Sequence, residues 1–330
     1  MILKKGFVDL QINGYLGVDF SQESLTLESI RRLTRRLIKK GTVAFCPTLV
    51  TAPLHIYEHN LPLIARAMME PDLKPHLLGI HLEGPFISPQ EGARGAHDCR
   101  YILPPDIGLF RRFQELAENR IVMITLAPEV SGAEELIRHI ARRGDIVVSM
   151  GHHEADDVTI RRAVRLGARS VTHLGNGIPS LIQRHPNLLW TQLADDRLTG
   201  MFITDGYHIP DEFIKVAIRA KTAKRFIVTS DSAPIAGMPA GIYSIFGQKV
   251  EIAKTGRIGV YGTPYLAGSN STMLTCMNRL ASLNLLPEDD LWRIGVENPL
   301  RLIGKKLDGL RLAHLPDWQL TRNKFARIRG

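Results

Sequence analysis

Four residues of this 330-residue chain could do chemistry together: Glu83, His152, His173 and Asp231. Each closes an apolar run. The runs end His81-Leu82-Glu83-Gly84-Pro85, Gly151-His152-His153, Thr172-His173-Leu174-Gly175-Asn176 and Ser230-Asp231-Ser232-Ala233-Pro234, and a fifth ends Thr204-Asp205-Gly206-Tyr207-His208. One carboxylate and two imidazoles, with water in the fourth position, compose an open catalytic site for zinc or a similar divalent ion. A further carboxylate beside such an ion can take a proton from its water and return it to a leaving group. Singly, each residue has a plainer reading. A lone His at a strand end is usually a satisfied polar residue, Glu83 could cap a helix or pair with an Arg, and Asp231 could be a fourth ligand or a turn residue. The plainer readings weaken together, because the groups stand at several run ends in register.

The elements that must position them repeat. A short apolar, β-branched run is followed by a loop and an amphipathic helix, eight times over. The runs are Phe7–Ile12, Thr42–Leu49, His76–Leu82, Ile121–Leu126, Ile146–Met150, Ala168–Thr172, Leu198–Ile203 and Arg225–Thr229. Helices are expected near Glu23–Lys40, Ile56–Met69, Pro105–Ala117, Ala133–Arg143, Ala155–Leu166, Asp211–Lys221 and Ser271–Leu283. A loop rich in Gly, Pro and Asn follows the sixth run, and a long insertion follows the eighth. Eight such units predict an α/β chain closed as a (β/α)8 TIM-type barrel, whose strands are buried on both faces. An open doubly wound sheet would carry a Gly-rich phosphate turn after its first strand, and Asp9-Leu10-Gln11-Ile12-Asn13-Gly14 is not one. In a barrel the C-terminal ends of the strands carry the chemistry, which is where the five run ends lie.

Composition sets outer bounds. With 44% hydrophobic and 23% charged residues the chain is neither disordered nor low-complexity. No apolar run reaches membrane-span length and no signal peptide is evident, so no membrane partner is expected. Three cysteines, Cys46, Cys99 and Cys276, without C-x-x-C spacing, suit a reducing, cytoplasmic setting. The formal charge of +9 admits an anionic partner. Its densest clusters, Arg31-Arg32, Arg35-Arg36 and Lys39-Lys40, fall on the polar side of a helix. No stretch interleaves aromatics with cations, so nucleic acid is not expected.

In order along the chain, Asp9-Leu10-Gln11-Ile12-Asn13-Gly14, Gly79-Ile80-His81-Leu82-Glu83-Gly84-Pro85-Phe86, Leu126-Ala127-Pro128-Glu129, Gly151-His152, Thr172-His173-Leu174-Gly175-Asn176, Asp205-Gly206-Tyr207-His208, Ser230-Asp231-Ser232-Ala233-Pro234 and Leu266-Ala267-Gly268-Ser269 resemble the N-acetylglucosamine-6-phosphate deacetylases of the amidohydrolase superfamily. The resemblance implies metal ligation by Glu83, His152 and His173, with Asp231 as general acid/base. It implies His97 near the scissile acetamide, Asn176 and Gly177 as a substrate-binding pair, and Arg184 and His208 on the sugar phosphate. In relatives that phosphate contact can cross a dimer interface, so a homodimer is expected. Hydroxide at the metal would attack the acetamide and release acetate and the amino-sugar phosphate.

Two-metal amidohydrolases put His-x-His on the first strand. Gln11 and Asn13 stand there and are poor ligands, which predicts one divalent metal per chain: zinc first, with iron or manganese open. The pattern departs from the family at Gly177, usually Ala, and around Asp231, where Thr-Asp-Ala is commoner. The barrel is expected over residues 6–305. Residues 306–330, with candidate strands at Leu310–Leu315 and Trp318–Thr321, would be a remnant of a small β-sandwich domain that is otherwise reduced or missing. Two other functions stay open: deacetylation of a related sugar phosphate such as N-acetylgalactosamine-6-phosphate, and a non-catalytic barrel that binds an anionic partner.

Overall fold

The computed structural model describes residues 4–307, 310 and 312–328. Eight parallel strands follow one another in chain order around a single sheet. They are β1 (Phe7–Ile12), β2 (Thr42–Val50), β3 (Ile80–Glu83), β4 (Ile121–Leu126), β5 (Val147–Met150), β6 (Ser170–Val171), β7 (Thr199–Phe202) and β8 (Phe226–Val228). The helices between them are α1 (Leu27–Lys39), α2 (Leu54–Ala67), α3 (Ile107–Leu116), α4 (Ala133–Ala141), α5 (Asp157–Leu166), α6 (Leu188–Ala194), α7 (Asp211–Lys221) and α8 (Met273–Ser282). This is the expected (β/α)8 barrel. β1 and β2 are buried along their whole length, as strands with a barrel interior on one side and helices on the other must be.

α1 shows how the local sequence sets an element. Thr26 caps its start and forms a capping box with Ser29, while Ile30, Leu33 and Leu37 bury one face. Gly41 takes φ +83° just past its end, a left-handed position suited to glycine. Arg31, in the basic cluster of this helix, pairs with Glu28, Glu70 and Asp72, so part of that charge is locally neutralised.

Three features were not expected. The loop after β6 contains α6, a helix of seven residues that starts at an Asn187 cap and is too short to show a period. The insertion after β8 folds into an antiparallel sheet of β9 (Gly241–Ile245), β10 (Gln248–Ile252) and β11 (Ile258–Val260). It packs Ile245, Val250, Ile252 and Ile258 against Ala96 and Ala233, and Gln248 Nε2 donates to Ala96 O at 2.7 Å. Third, no strand forms among the described residues of Leu310–Leu315. Leu310, Leu312 and Leu315 donate to Leu307, Leu310 and Leu312 carbonyls, which are local turns, and Arg311 lies outside the described residues.

The second candidate strand does form, as β12 (Trp318–Thr321), paired with β13 (Lys324–Arg327). Asp308, Gly309, Arg329 and Gly330 of the expected 306–330 remnant lie outside the described residues. The hairpin docks through Phe325, whose ring meets Phe7 edge-on at 5.0 Å and Trp292 at 5.0 Å. All three rings are buried. Phe325→Ala should therefore cost about 3 kcal/mol of unfolding free energy, read by denaturant titration. Metal content at the far end of the barrel should stay unchanged.

Candidate active site

Glu83 ends β3, while His152 and His173 follow β5 and β6 by two residues each. His152, His173 and Asp231 all take positive φ, at +52°, +31° and +50°, so three site residues stand at backbone turns that L-residues seldom adopt. The turns aim the side chains inward. Glu83 Oε1 lies 3.1 Å from His152 Nε2 and 3.0 Å from His173 Nε2, and the two Nε2 atoms are 3.0 Å apart. All three residues are buried. Among the described residues this is the one group able to hold a metal ion. His153 turns away, to Gln192 Nε2 and the Ala155 amide.

The donor set fits a cation. His152 Nδ1 faces Ala93 O at 2.9 Å, and a carbonyl only accepts, so Nδ1 carries the proton. A neutral ring then turns a bare Nε2 lone pair toward the Glu83 carboxylate. Two acceptors 3.1 Å apart repel unless a positive ion joins them. Holding a ligand ring by its other nitrogen is the usual way proteins orient a metal-bound histidine. Gly177 crowds the same rings: at its φ of +60° a Cβ would come 2.9 Å from His152 Nδ1 and 3.0 Å from His173 Cε1. Glycine here lets the loop close down on both imidazoles.

Gln11 and Asn13 are not ligands in this arrangement. Gln11 Nε2 donates to Glu83 Oε1 and to Asp231 Oδ1, both at 2.8 Å, and Asn13 Nδ2 donates to Asp231 Oδ1 at 2.8 Å. Their carbonyl oxygens, Gln11 Oε1 and Asn13 Oδ1, are buried without a partner. One amide thus bridges two carboxylates that share a small space. Burial tends to raise Glu83, but positive charge at the His152 and His173 Nε2 atoms, whether a proton or the ion they would hold, outweighs that and holds it well below the carboxylate range. Burial, and then the Glu83 charge, push Asp231 far above that range. The pair is therefore split into one anion suited to ligation and one group suited to carrying a proton.

No family model matches the chain. It is 36% identical to the N-acetylglucosamine-6-phosphate deacetylase of Bos taurus over 315 residues, which are 92% of this chain and 75% of the relative. The crystal structure of the N-acetyl-D-glucosamine-6-phosphate deacetylase from Mycobacterium smegmatis is 28% identical and matches with a TM-score of 0.86, over 99% of this chain and 85% of that one. A mutant of the M. smegmatis enzyme in complex with N-acetyl-D-glucosamine-6-phosphate matches with a TM-score of 0.82 at 28% identity, over 92% and 78%. This chain belongs to the N-acetylglucosamine-6-phosphate deacetylase family.

The rest of the site in this deacetylase family member is a cleft of about 250 Å³ above the three candidate ligands. That is at the small end for ligand sites and suits a single sugar. His97, Asn176, Gly177, His208 and Asp231 line it, so the structure brings these expected residues together. His97 Nδ1 accepts from Thr51 Oγ1 at 2.9 Å and from the Thr51 amide at 3.4 Å, which leaves Nε2 as the N–H. That nitrogen lies 3.2 Å from His152 Nε2, and burial keeps the ring neutral, with its pKa lowered to about 3. His208 Nδ1 is 2.8 Å from Asp205 Oδ2. Burial tends to raise Asp205, but His208 and two backbone amides hold it low.

Arg184 is not in the cleft. It stands exposed on the loop before α6 and is not among the lining residues. The described lining contains no Lys or Arg at all. Sequence reasoning missed Phe246 and Tyr265, which the insertion brings to the lining, and the Thr51 and Ala93 contacts that orient His97 and His152. None of these four carries a local signal.

Proposed function

We propose that this protein hydrolyses the acetamide of N-acetylglucosamine-6-phosphate to acetate and glucosamine-6-phosphate. The observation that carries the reading is the convergence of Glu83, His152 and His173 beside a bridged Asp231, in a chain of the deacetylase family. Glu83, His152 and His173 would hold one divalent cation, which supplies Lewis-acid polarisation and a water more acidic than bulk. Zinc suits a donor set of two imidazoles and a carboxylate, and iron and manganese suit it too.

Asp231 Oδ1 is occupied by the Gln11 and Asn13 amides, so Oδ2 is the oxygen that takes the proton from the attacking water and returns it to the leaving amine. His97 donates Nε2–H toward the acetamide oxygen as charge builds there. Asn176 and Gly177 hold the sugar, and Phe246 and Tyr265 close the cleft over it. His208 contacts the phosphate, with Asp205 fixing its ring. Cys46, Cys99 and Cys276 are all unpaired, which supports the cytoplasm as its location. No helix among the described residues is long and apolar enough to cross a membrane.

A doubly charged phosphate needs more than His208, and the cleft's own described lining offers no Lys or Arg. Arg184 supplies the missing cation if it serves the cleft of a second copy. Its loop and the helix after it also expose Leu181, at 92% exposure, and Trp190, at 52%, as an interface between two copies requires. Arg184→Ala should raise KM about 10-fold or more with kcat little changed, the loss of a charge-assisted phosphate contact. At substrate well below the raised KM, mixing Arg184→Ala with Asp231→Asn subunits should give more activity than the two separately, because one cleft of the mixed dimer then has both groups. Absence of complementation, or a monomer by sedimentation, rejects the shared site.

The reaction itself is tested by acetate release from a panel of N-acetylated hexosamine phosphates. The glucosamine epimer should be turned over fastest. Preference for N-acetylgalactosamine-6-phosphate changes the substrate. No acetate from any member, with the metal-loaded protein, rejects catalysis altogether.

A further inference from the structure

The seam of the barrel is its weakest joint. β1 and β8 share no regular ladder among the described residues. The chain beyond β8 returns to the end of β1 through a single bridge, Ile12 to Ser232, and through Asn13 and Gly14 amides that donate to Ser232 O at 3.0 and 3.1 Å. The general acid/base sits one residue before that bridge.

What joins the seam below it is a carboxylate. Asp9 on β1 is completely buried. Its Oδ1 accepts from Thr229 Oγ1 at 2.7 Å and from the Ser230 and Gln11 amides at 3.2 Å each. Its Oδ2 accepts from Ser230 Oγ at 2.5 Å and from the Ser230 amide at 3.2 Å. From the opposite side Ser269 donates its hydroxyl to Ser230 O and its amide to Asp231 O at 2.9 Å. The segment Thr229–Asp231 is therefore clamped between Asp9 and Ser269, and Asp231 emerges from the clamp at φ +50°.

We propose that Asp9 is a positioning residue for deacetylation, locking β1 to Thr229–Asp231 so that Gln11 and Asn13 meet Asp231 Oδ1 and leave Oδ2 for the proton. It touches neither the cleft nor the candidate metal ligands. Both halves of the arrangement come from the elements it joins, since Gln11 and Asn13 follow it on the β1 side and Asp231 follows Ser230. The Ser230 and Gln11 amides can only donate, and the Ser230 amide lies 3.2 Å from both carboxylate oxygens, so an acceptor-only carboxylate matches the set and an amide would turn an N–H toward that donor. Asp9 makes no ion pair among the described residues, although a buried charge without a cation is costly. Burial accordingly raises it to about 6. A carboxylate retained at that cost has a task beyond filling space.

The inference rests on Asp231 as the proton carrier, so the test separates the two. Asp9→Asn, Asp231→Asn and the double variant are compared on the metal-loaded enzyme. Asp9→Asn is expected to lower kcat about 10- to 100-fold, with KM and metal content within about twofold of the unaltered protein. Added to Asp231→Asn it should cost less than twofold more, because it acts only through that residue. Unchanged kcat in Asp9→Asn, or a full further loss in the double variant, overturns the positioning role. Normal kcat in Asp231→Asn instead overturns the underlying reading. Should Asp9→Asn fail to fold, Ser230→Ala decides. It removes one donor to Asp9 and is expected to lower kcat several-fold, again with no further loss on the Asp231→Asn background; a full further loss there overturns the role.

Discussion

Asp231→Asn should lower kcat by about 10²- to 10⁴-fold, the range for a positioned proton carrier. That is about 3–5 kcal/mol on the barrier. The substitution is clean. An Asn side chain still offers Oδ1 to the Gln11 and Asn13 amides, which donate at 2.8 Å each, so the carbonyl keeps its place. What is lost is an Oδ2 able to take and return a proton. KM and metal content should stay within a few-fold of the unaltered protein. The pH profile carries a second check. Burial first, and the Glu83 charge second, raise the proton affinity of Asp231 in the protein. Below its folded pKa the group is protonated and cannot accept, so kcat/KM falls as pH drops. The acid limb should therefore lie above the ordinary 3.8 of an aspartate. The residual activity of Asp231→Asn should lack that limb. Turnover within threefold of the unaltered enzyme would falsify the role.

Glu83→Gln should abolish metal retention, and activity with it. Its Oε1 is the common neighbour of both imidazole nitrogens, at 3.0 and 3.1 Å. A neutral amide there removes the one negative charge in the triad and presents a donor or a weak acceptor to the ion. Outer-shell partners alone are worth about 10–100-fold in metal affinity, and a direct ligand is worth more. Elemental analysis should find about one metal per chain in the unaltered protein and almost none in Glu83→Gln. Chelation should likewise remove activity, and restoration by zinc, iron and manganese tried separately identifies the working ion. Two metals per chain, with Gln11 or Asn13 among the ligands, would sink the single-site assignment. Metal addition should also raise the melting temperature, because a ligand that binds only the folded state stabilises it.

Much of the fold was legible because barrel strands leave a coarse trace. Segments buried on both faces are mostly apolar, and in Ile121–Leu126 and Thr42–Val50 the polar exceptions are threonines. The α6 helix was not legible, since seven residues span two turns and show no face. The insertion was legible only as length. Only Lys249-Val250-Glu251-Ile252 alternates polar and apolar residues, and what the sheet covers depends on where Ala96 and Ala233 lie in space. At the site, residue types at strand ends pointed to Glu83, His152, His173 and Asp231. Nothing near Gln11 indicated that its amide would span Glu83 and Asp231, which are 72 and 220 residues away. Arg184 illustrates the reverse. Its place in the pattern is clear, yet the fold holds it outside its own cleft.

The sequence by itself determined which chemical groups are present and which edge of the barrel carries them, because burial period and run ends are local properties of the chain. Only the tertiary structure decided which atoms meet. The His152 lone pair is aimed by the Ala93 carbonyl, the free oxygen of Asp231 is selected by two amides from β1, and the seam that sets their distance is held by Asp9. Each is a contact between distant segments. Its geometry comes from closing eight strands into a ring, and no local pattern in the chain records where that ring shuts.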